Sequence, residues 1–377
     1  MKKKISIVQL KISLIKTKLS NSNINTQKIN YAFIDSLRFI SMIGIVMEHS
    51  SFFFVARFNT LSEKIVQILS LQVFKFGTII FFLLAGFLIG DKFTTYSTKE
   101  YLQRRAQNTL KPWLFWVIIL LLTTYLDIIV KNIKYGDNIL SNITFKTVLS
   151  DFGNIVFNTS YWFIPNFLLC ITILLLFRKY LYSVRLGIAL LLLSLFYSVN
   201  LYIDLIPTSH TTALFGFIFY LWLGVQINKY YEQFKSFVDN TSMALVFILL
   251  IFAFFLSSLE SYYLLKLLPT DPFNTLRITN IIYSLLSFIF LYKLGSKIQI
   301  KRFNPSILTF GIYLIHQILI FRLMPLILRP LHISLENKSA YYVLSIQLLT
   351  FFIVYIGSIL IVSIINKIPK ARWLIGR

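Results

Sequence analysis

The stretch FIDSLRFISMIGIVMEHSSF, residues 33–52, has the length and apolar character of a membrane-spanning helix, yet it contains Asp35, Arg38, Glu48 and His49. An Arg at the centre of a span costs on the order of 2.5 to 3.5 kcal/mol on insertion scales. These side chains are therefore expected to face the interior of a helix bundle or a wet cavity. The alternative is a purely structural Asp35–Arg38 ion pair, with His49 at the lipid headgroups.

Helical geometry relates the polar residues of this stretch to one another. At about 100° per residue, the path from Arg38 to His49 makes three turns plus about 20° and rises by about 16 Å. Asp35 precedes Arg38 by one turn on nearly the same side, whereas Glu48 points about 80° away from Arg38. The sequence thus predicts that Asp35, Arg38 and His49 share one face of the first helix.

The rest of the chain is also strongly apolar. Of its 377 residues, 57% are hydrophobic and only 14% are charged, where a soluble domain has about 25% charged residues. We predict an all-α, polytopic transmembrane bundle of about ten helices. The ten apolar runs lie near residues 32–54, 66–90, 113–130, 161–177, 184–200, 211–227, 241–259, 273–292, 305–328 and 341–366.

The net charge of +23 reports orientation in the membrane rather than a nucleic-acid partner. The N-terminal arm and every second loop hold 25 Lys and Arg residues, and the loops between them hold 8. This positive-inside pattern predicts that both termini are cytoplasmic. Without a nucleic-acid-binding motif, the basic residues are expected to contact anionic membrane lipid.

The chain divides into a basic cytoplasmic arm (1–30), a ten-helix transmembrane domain (31–366) and a basic cytoplasmic tail (367–377). The arm lacks an uninterrupted apolar core and a small-residue cleavage site, so it is predicted to form an interfacial helix rather than a signal peptide. The four histidines, at positions 49, 210, 316 and 332, have no metal-ligand spacing, and no metal is expected.

Several other polar or small residues fall inside predicted spans. His316, with Tyr313 one turn before it, is interpreted either as part of a functional cavity or as a partner in an interhelical hydrogen bond. Arg322 is expected to face a cavity or the membrane interface. Gly86 allows a ligand or another helix to approach closely, and Trp162 stacks on a substrate or anchors the span at the interface.

The loops outside the membrane contribute weaker candidates. Arg277 and Glu260 are expected near the outer surface, within reach of an acceptor. His210 and His332 fall in outer loops and are interpreted as surface residues.

Five stretches, taken in order, resemble the membrane-bound acyltransferase-3 family. They are Asp35-x-x-Arg38 followed by ten residues and His49, FFLLAGFLIG at 81–90, RRAQNTLKPWLFW at 104–116, YWFIPNFLL at 161–169 and FGIYLIHQ at 310–317. Two features depart from the family pattern. Asn108 stands where many relatives have a second Arg, and Glu48 beside His49 is not expected.

The resemblance implies an O-acyltransferase that acts on a cell-surface polysaccharide or a lipid-linked saccharide in a bacterial plasma membrane. Its donor substrate would be acetyl-CoA or another short acyl-CoA. His49 is the expected general base, because imidazole takes up a proton near neutral pH, and Arg38 with Asp35 would support it. Arg104, Arg105 and Lys111 are expected to meet the CoA phosphates, or else are ordinary positive-inside residues.

The same resemblance and the polar spans together suggest a substrate cavity. Its expected members are Glu48, Gly86, Trp162, Tyr313, His316 and Arg322. The competing interpretation is a transporter or flippase of a polysaccharide or its lipid-linked precursor, and an unrelated structural membrane protein is a third. The acceptor sugar, the acyl group, the oligomeric state and the helices that line the cavity stay open at this level.

Overall fold

The computed structural model describes residues 31–53, 58–93, 95–136, 143–267, 271–297 and 304–377. Helices make up 82% of the structure, and no strand occurs in these ranges. The predicted all-α class is therefore confirmed. The interfacial helix expected in the N-terminal arm lies outside the described residues.

Fifteen α-helices occur in the described ranges. They are α1 (Ala32–His49), α2 (Leu61–Gln72), α3 (Gly77–Phe93), α4 (Thr98–Arg105), α5 (Lys111–Tyr135), α6 (Phe145–Asn158), α7 (Phe163–Leu176), α8 (Val184–Ile203), α9 (Leu214–Lys229), α10 (Tyr231–Asn240), α11 (Met243–Leu267), α12 (Ile278–Lys297), α13 (Pro305–Ile318), α14 (Met324–Leu328) and α15 (Ala340–Lys367). A π-helical segment, Ala106–Leu110, joins α4 to α5, and another, Leu319–Leu323, joins α13 to α14. A 3₁₀ turn, Ser160–Trp162, precedes α7.

Seven helical segments of the described chain are long and apolar enough to cross a membrane. The bent pair Phe145–Asn158 and Ser160–Leu176, with an angle of 75°, adds an eighth if it is one span. The other two predicted spans correspond to α1, which carries three charged residues, and to α9, which has only 16 residues. The prediction of about ten spans is thus roughly compatible with the structure.

The first helix ends earlier than the predicted limit at residue 54. Helix α1 ends at His49, and the Ser50 hydroxyl donates to the Val46 carbonyl oxygen at 2.7 Å. Apolar residues of α1 lie in the core, because Leu37, Met42 and Val46 are each at most 1% exposed. Met42 and Val46 belong to one hydrophobic cluster with residues of α5, α13 and α15, which packs these helices against α1.

Gly86 was expected to allow the close approach of either a ligand in the substrate cavity or another helix, and the structure favours the helix. A Cβ atom on Gly86 of α3 would lie 1.9 Å from the Leu221 carbonyl oxygen of α9. Gly224 on α9 has the reciprocal contact, 2.1 Å from the Leu83 carbonyl oxygen. Small residues let membrane helices approach to backbone contact, so Gly86 is a packing residue.

Candidate functional site

A cavity of about 450 Å³ runs along the polar face of α1 and is called the basic cavity here. Its charged lining consists of Arg38, Lys92 and Arg105, and no carboxylate lines it among the described residues. Asn108 and Thr109 also line it, and both lie in the π-helical segment between α4 and α5. The basic cavity therefore suits an anionic ligand.

A second cavity, of about 380 Å³, is called the mixed-charge cavity. Carboxylates and cations both line it, represented by Glu48, Lys75 and Asp271, together with His210. Its other polar lining residues are Thr78, Asn158, Trp162, Tyr197, Thr208, Ser209, Asn274 and Thr275. Such a surface offers many hydrogen-bond donors and acceptors to a neutral, polyhydroxylated ligand.

His49 lies where the two cavities meet. Four residues line both of them: Ile45, His49, Thr78 and Trp162. Arg38 and His49 line the basic cavity together, as expected for two residues that share a face of an unbroken helix. His49 is consequently the one imidazole that borders both cavities among their described lining residues.

Trp162 is held at this junction by the turn that carries it. The Tyr313 hydroxyl donates to the Ser160 carbonyl oxygen at 2.8 Å, and the Trp113 indole donates to the Tyr161 carbonyl oxygen at 3.1 Å. The Trp162 ring stacks on the imidazole of His210, with centroids 4.8 Å apart and planes inclined by 4°. The pair forms a rigid aromatic wall of the mixed-charge cavity.

Glu48 has a specific partner across the helix boundary. Lys75, in the turn before α3, donates to its carboxylate at 2.5 Å. The Lys75 side chain is only 4% exposed and that of Glu48 is 22% exposed. A charge buried to this extent needs its counter-charge, so the pair fixes the end of α1 that carries His49.

His316 does not line either cavity, contrary to the prediction. Its side chain is fully buried, and its ring centroid lies 5.5 Å from that of His49. Its Nδ1 atom lies 3.1 Å from the Ile312 carbonyl oxygen. Tyr313, one turn before it, does line the basic cavity.

Four other candidates lie outside the two cavities. Asp35 pairs with Arg38 at 3.8 Å. Arg104 lies over the ring of Tyr96, and Lys111 lies over that of Trp373. Arg322 donates to the Thr124 hydroxyl and is not a cavity residue, because its π-helical segment directs it towards α5.

His210 is exposed, as expected of a surface residue in an outer loop, and it also lines the mixed-charge cavity, where its Nδ1 atom lies 2.7 Å from the Phe157 carbonyl oxygen. Arg277, expected within reach of an acceptor, is fully buried and donates to the carbonyl oxygens of Asp271 and Leu201. Its role is to hold the outer loop in place.

In the described part of the chain, no group of three or more His, Cys, Asp or Glu residues is placed to hold a metal ion.

The chain matches a protein family described as an acyltransferase domain over residues 31–367. Neither a curated protein nor a solved structure matches it. The family match begins just before α1 and ends with α15, so it includes Arg38, His49 and Trp162.

Proposed function

Because the chain belongs to the acyltransferase-3 family, we propose that it moves a short acyl group from acyl-CoA to a hydroxyl of a cell-surface polysaccharide or lipid-linked saccharide. Because this family consists of acyltransferases, we favour acyl transfer over the alternative function of a transporter or flippase, which the polar residues in the spans also allowed. The proposed acyl group is acetyl. The proposed location is a bacterial plasma membrane, with both termini in the cytoplasm.

The observation that carries the proposal is the meeting of two chemically different cavities at one imidazole. A transferase must hold a donor and an acceptor at once and bring their reacting atoms together. The basic cavity is proposed to hold acyl-CoA, and the mixed-charge cavity the acceptor. His49 borders both, so a thioester and a hydroxyl can meet beside it.

The donor assignment rests on charge. Lys92 and Arg105 line the basic cavity, and the phosphates of CoA are strong acceptors for such cations. Gly376, in the C-terminal segment that the charge pattern predicts to be cytoplasmic, lines the same cavity, which agrees with CoA arriving from the cytoplasm. Arg38 lines the same cavity about three helical turns before His49, where it offsets negative charge on the donor.

The acceptor assignment rests on the aromatic and polar lining of the mixed-charge cavity. The stacked Trp162 and His210 rings offer a flat apolar surface to a sugar ring. Glu48 and Asp271 offer carboxylate oxygens to sugar hydroxyls. The loops around residues 158, 208 and 274 border this cavity, and the charge pattern places them outside the cytoplasm.

The proposed reaction needs one residue to accept and return the proton. A nitrogen of His49 takes the hydroxyl proton while the hydroxyl oxygen bonds to the acyl carbon and the C–S bond breaks. His49 then returns the proton to the departing thiolate, so that the products are an ester and free CoA. A relay through an acyl-His49 intermediate would use the same residue, and burst kinetics distinguish the two routes.

The test compares surface glycans by NMR from cells with the native chain, without the chain, and with His49→Ala. We expect ester groups only with the native chain. His332→Asn is the matched control, since this exposed histidine lies outside both cavities and Asn tolerates its positive φ of 52°. If His49→Ala is present in the membrane at native levels and the ester content is unchanged, the proposal is wrong.

A further inference from the structure

His316 lies directly behind the proposed base. It belongs to α13, is fully buried, and has its ring plane inclined by 37° to that of His49 at a centroid distance of 5.5 Å. It borders neither cavity, so it cannot touch the donor or the acceptor. Any part it has in the reaction must act through His49.

The hydrogen bonding of His316 fixes its tautomer. Its Nδ1 atom lies 3.1 Å from the Ile312 carbonyl oxygen, and a carbonyl oxygen can only accept. Nδ1 therefore carries the proton, and in the neutral imidazole Nε2 is a bare acceptor. This Nε2 atom is buried and has no hydrogen-bond partner among the described residues.

Two aromatic rings that can carry a donor lie beside His316, those of Tyr313 and His49. The neighbouring Tyr313 ring lies 6.0 Å from His316, but its hydroxyl already donates to the Ser160 carbonyl oxygen at 2.8 Å. Two imidazoles joined by an N–H···N hydrogen bond of about 2.9 Å have centroids roughly 5 Å apart. His49 and His316 are close to that separation, and a rotation of the His49 ring completes the bond.

We propose that His316 is a positioning residue that accepts a hydrogen bond from His49 and thereby fixes which His49 nitrogen is the base. The proposal rests on the function assigned to His49 above. With one His49 nitrogen committed as donor to His316, the other is left without a proton at the junction of the two cavities. The His49 side chain therefore already has an unprotonated nitrogen at the junction before the substrates bind.

The same bond stabilises the charged intermediate state of the base. When His49 takes the hydroxyl proton, its N–H group towards His316 becomes a charge-assisted donor, and such bonds are the stronger kind. This gain arises during the reaction and not on substrate binding. Loss of His316 should accordingly lower kcat and leave the KM for acetyl-CoA unchanged.

The kinetic test uses membranes containing the protein, radiolabelled acetyl-CoA and the acceptor already present in those membranes. We expect His316→Leu to lower kcat by about 10- to 100-fold, the range of one charge-assisted hydrogen bond, with KM for acetyl-CoA within about twofold. His316→Gln keeps an acceptor atom at a similar distance from the backbone and should recover part of kcat. His332→Asn should resemble the native protein.

A spectroscopic test reads the tautomer of His49 directly. The chain has four histidines, so 15N-imidazole labelling gives few signals, which are assigned with single histidine variants. We expect His49 in one neutral tautomer, with a coupling across the hydrogen bond to His316 Nε2. A mixture of His49 tautomers in the native protein, or a His49 tautomer that is unchanged in His316→Leu, would overturn the proposal.

The two proposals fail in different ways. If His49→Ala retains acetyl transfer, the assigned function of His49 is wrong. If His49→Ala is inactive while His316→Leu folds and keeps the native kcat, the general base stands and the positioning role of His316 is excluded.

Discussion

Glu48 and Lys75 form an ion pair of 2.5 Å that joins the last turn of α1 to the turn before α3. Both residues line the mixed-charge cavity, and the next residue after Glu48 is the proposed base. The pair is asymmetric, because Lys75 is 4% exposed whereas Glu48 keeps 22% exposure towards the cavity. Removing the carboxylate therefore leaves the more deeply buried charge without a partner.

We expect Glu48→Gln to lower the free energy of unfolding by on the order of 3 kcal/mol, the cost of leaving one buried charge unpaired. The double variant Glu48→Gln, Lys75→Met should recover much of that loss, because no unpaired charge remains. The exposed Asp127–Lys131 pair, at 2.7 Å, is the matched control, and Lys131→Met should cost at most about 1 kcal/mol. Melting temperatures of the purified proteins in detergent compare the three variants with the native protein. Equal shifts of the melting temperature in Glu48→Gln and Lys131→Met would contradict the expectation.

The contact between α3 and α9 gives a prediction about packing. A Cβ atom at Gly86 would meet the Leu221 carbonyl oxygen at 1.9 Å, and backbone cannot move aside as a side chain can. We expect Gly86→Ala to destabilise the protein by about 3 kcal/mol or more, by overpacking. Gly153, on α6, has nothing within 4 Å of its Cβ position, so Gly153→Ala should be neutral or slightly stabilising through helix propensity. Folded yield and melting temperature compare the two, and a tolerated Gly86→Ala would mean that the helices are further apart.

The sequence predicted those features that depend on one helix at a time. Apolar runs located the spans, and a period of 3.6 residues predicted that Arg38 and His49 share a face, which is how both come to line the basic cavity. Gly86 shows the limit of this reasoning. A small residue allows close approach of either a ligand or a helix, and only the position of α9 decides between them.

Features that depend on neighbouring elements were not predictable from periodicity. His210 reads as a loop residue, and it becomes part of the site because Trp162, far away in sequence, stacks on it. Arg277 reads as an exposed cation near a loop, but its guanidinium satisfies loop carbonyl oxygens and is fully buried. The position of a polar residue in a loop therefore does not predict which way its side chain points, because that depends on contacts that the sequence pattern does not reveal.

Two adjacent arginines allow the proposed donor site to be tested against the general positive charge of the loop that carries them. Arg105 lines the basic cavity, whereas Arg104 is exposed and lies over Tyr96. If Arg105 contacts a CoA phosphate, Arg105→Ala should raise the KM for acetyl-CoA by about 10-fold or more, and Arg104→Ala by less than about threefold. Initial rates of labelled acetyl transfer in membranes measure both.

Added salt sharpens the comparison of these arginines. The native KM for acetyl-CoA should rise with ionic strength, because the phosphate contacts are screened. This dependence should be weaker in Arg105→Ala and unchanged in Arg104→Ala. Equal effects of the two substitutions on KM would show that the loop attracts CoA by its total charge and that Arg105 has no specific contact.

The aromatic wall of the mixed-charge cavity predicts a selective effect on the acceptor. His210→Ala removes the one ring of the stacked pair that lines only the mixed-charge cavity. We expect the KM for the acceptor to rise by about 2- to 12-fold, the value of one aromatic stacking contact, while the KM for acetyl-CoA stays constant. The acceptor is titrated as polysaccharide purified from cells that lack the chain and so lack its ester. His332→Asn is again the control. A rise in the KM for acetyl-CoA instead would mean that the donor, and not the acceptor, occupies the mixed-charge cavity.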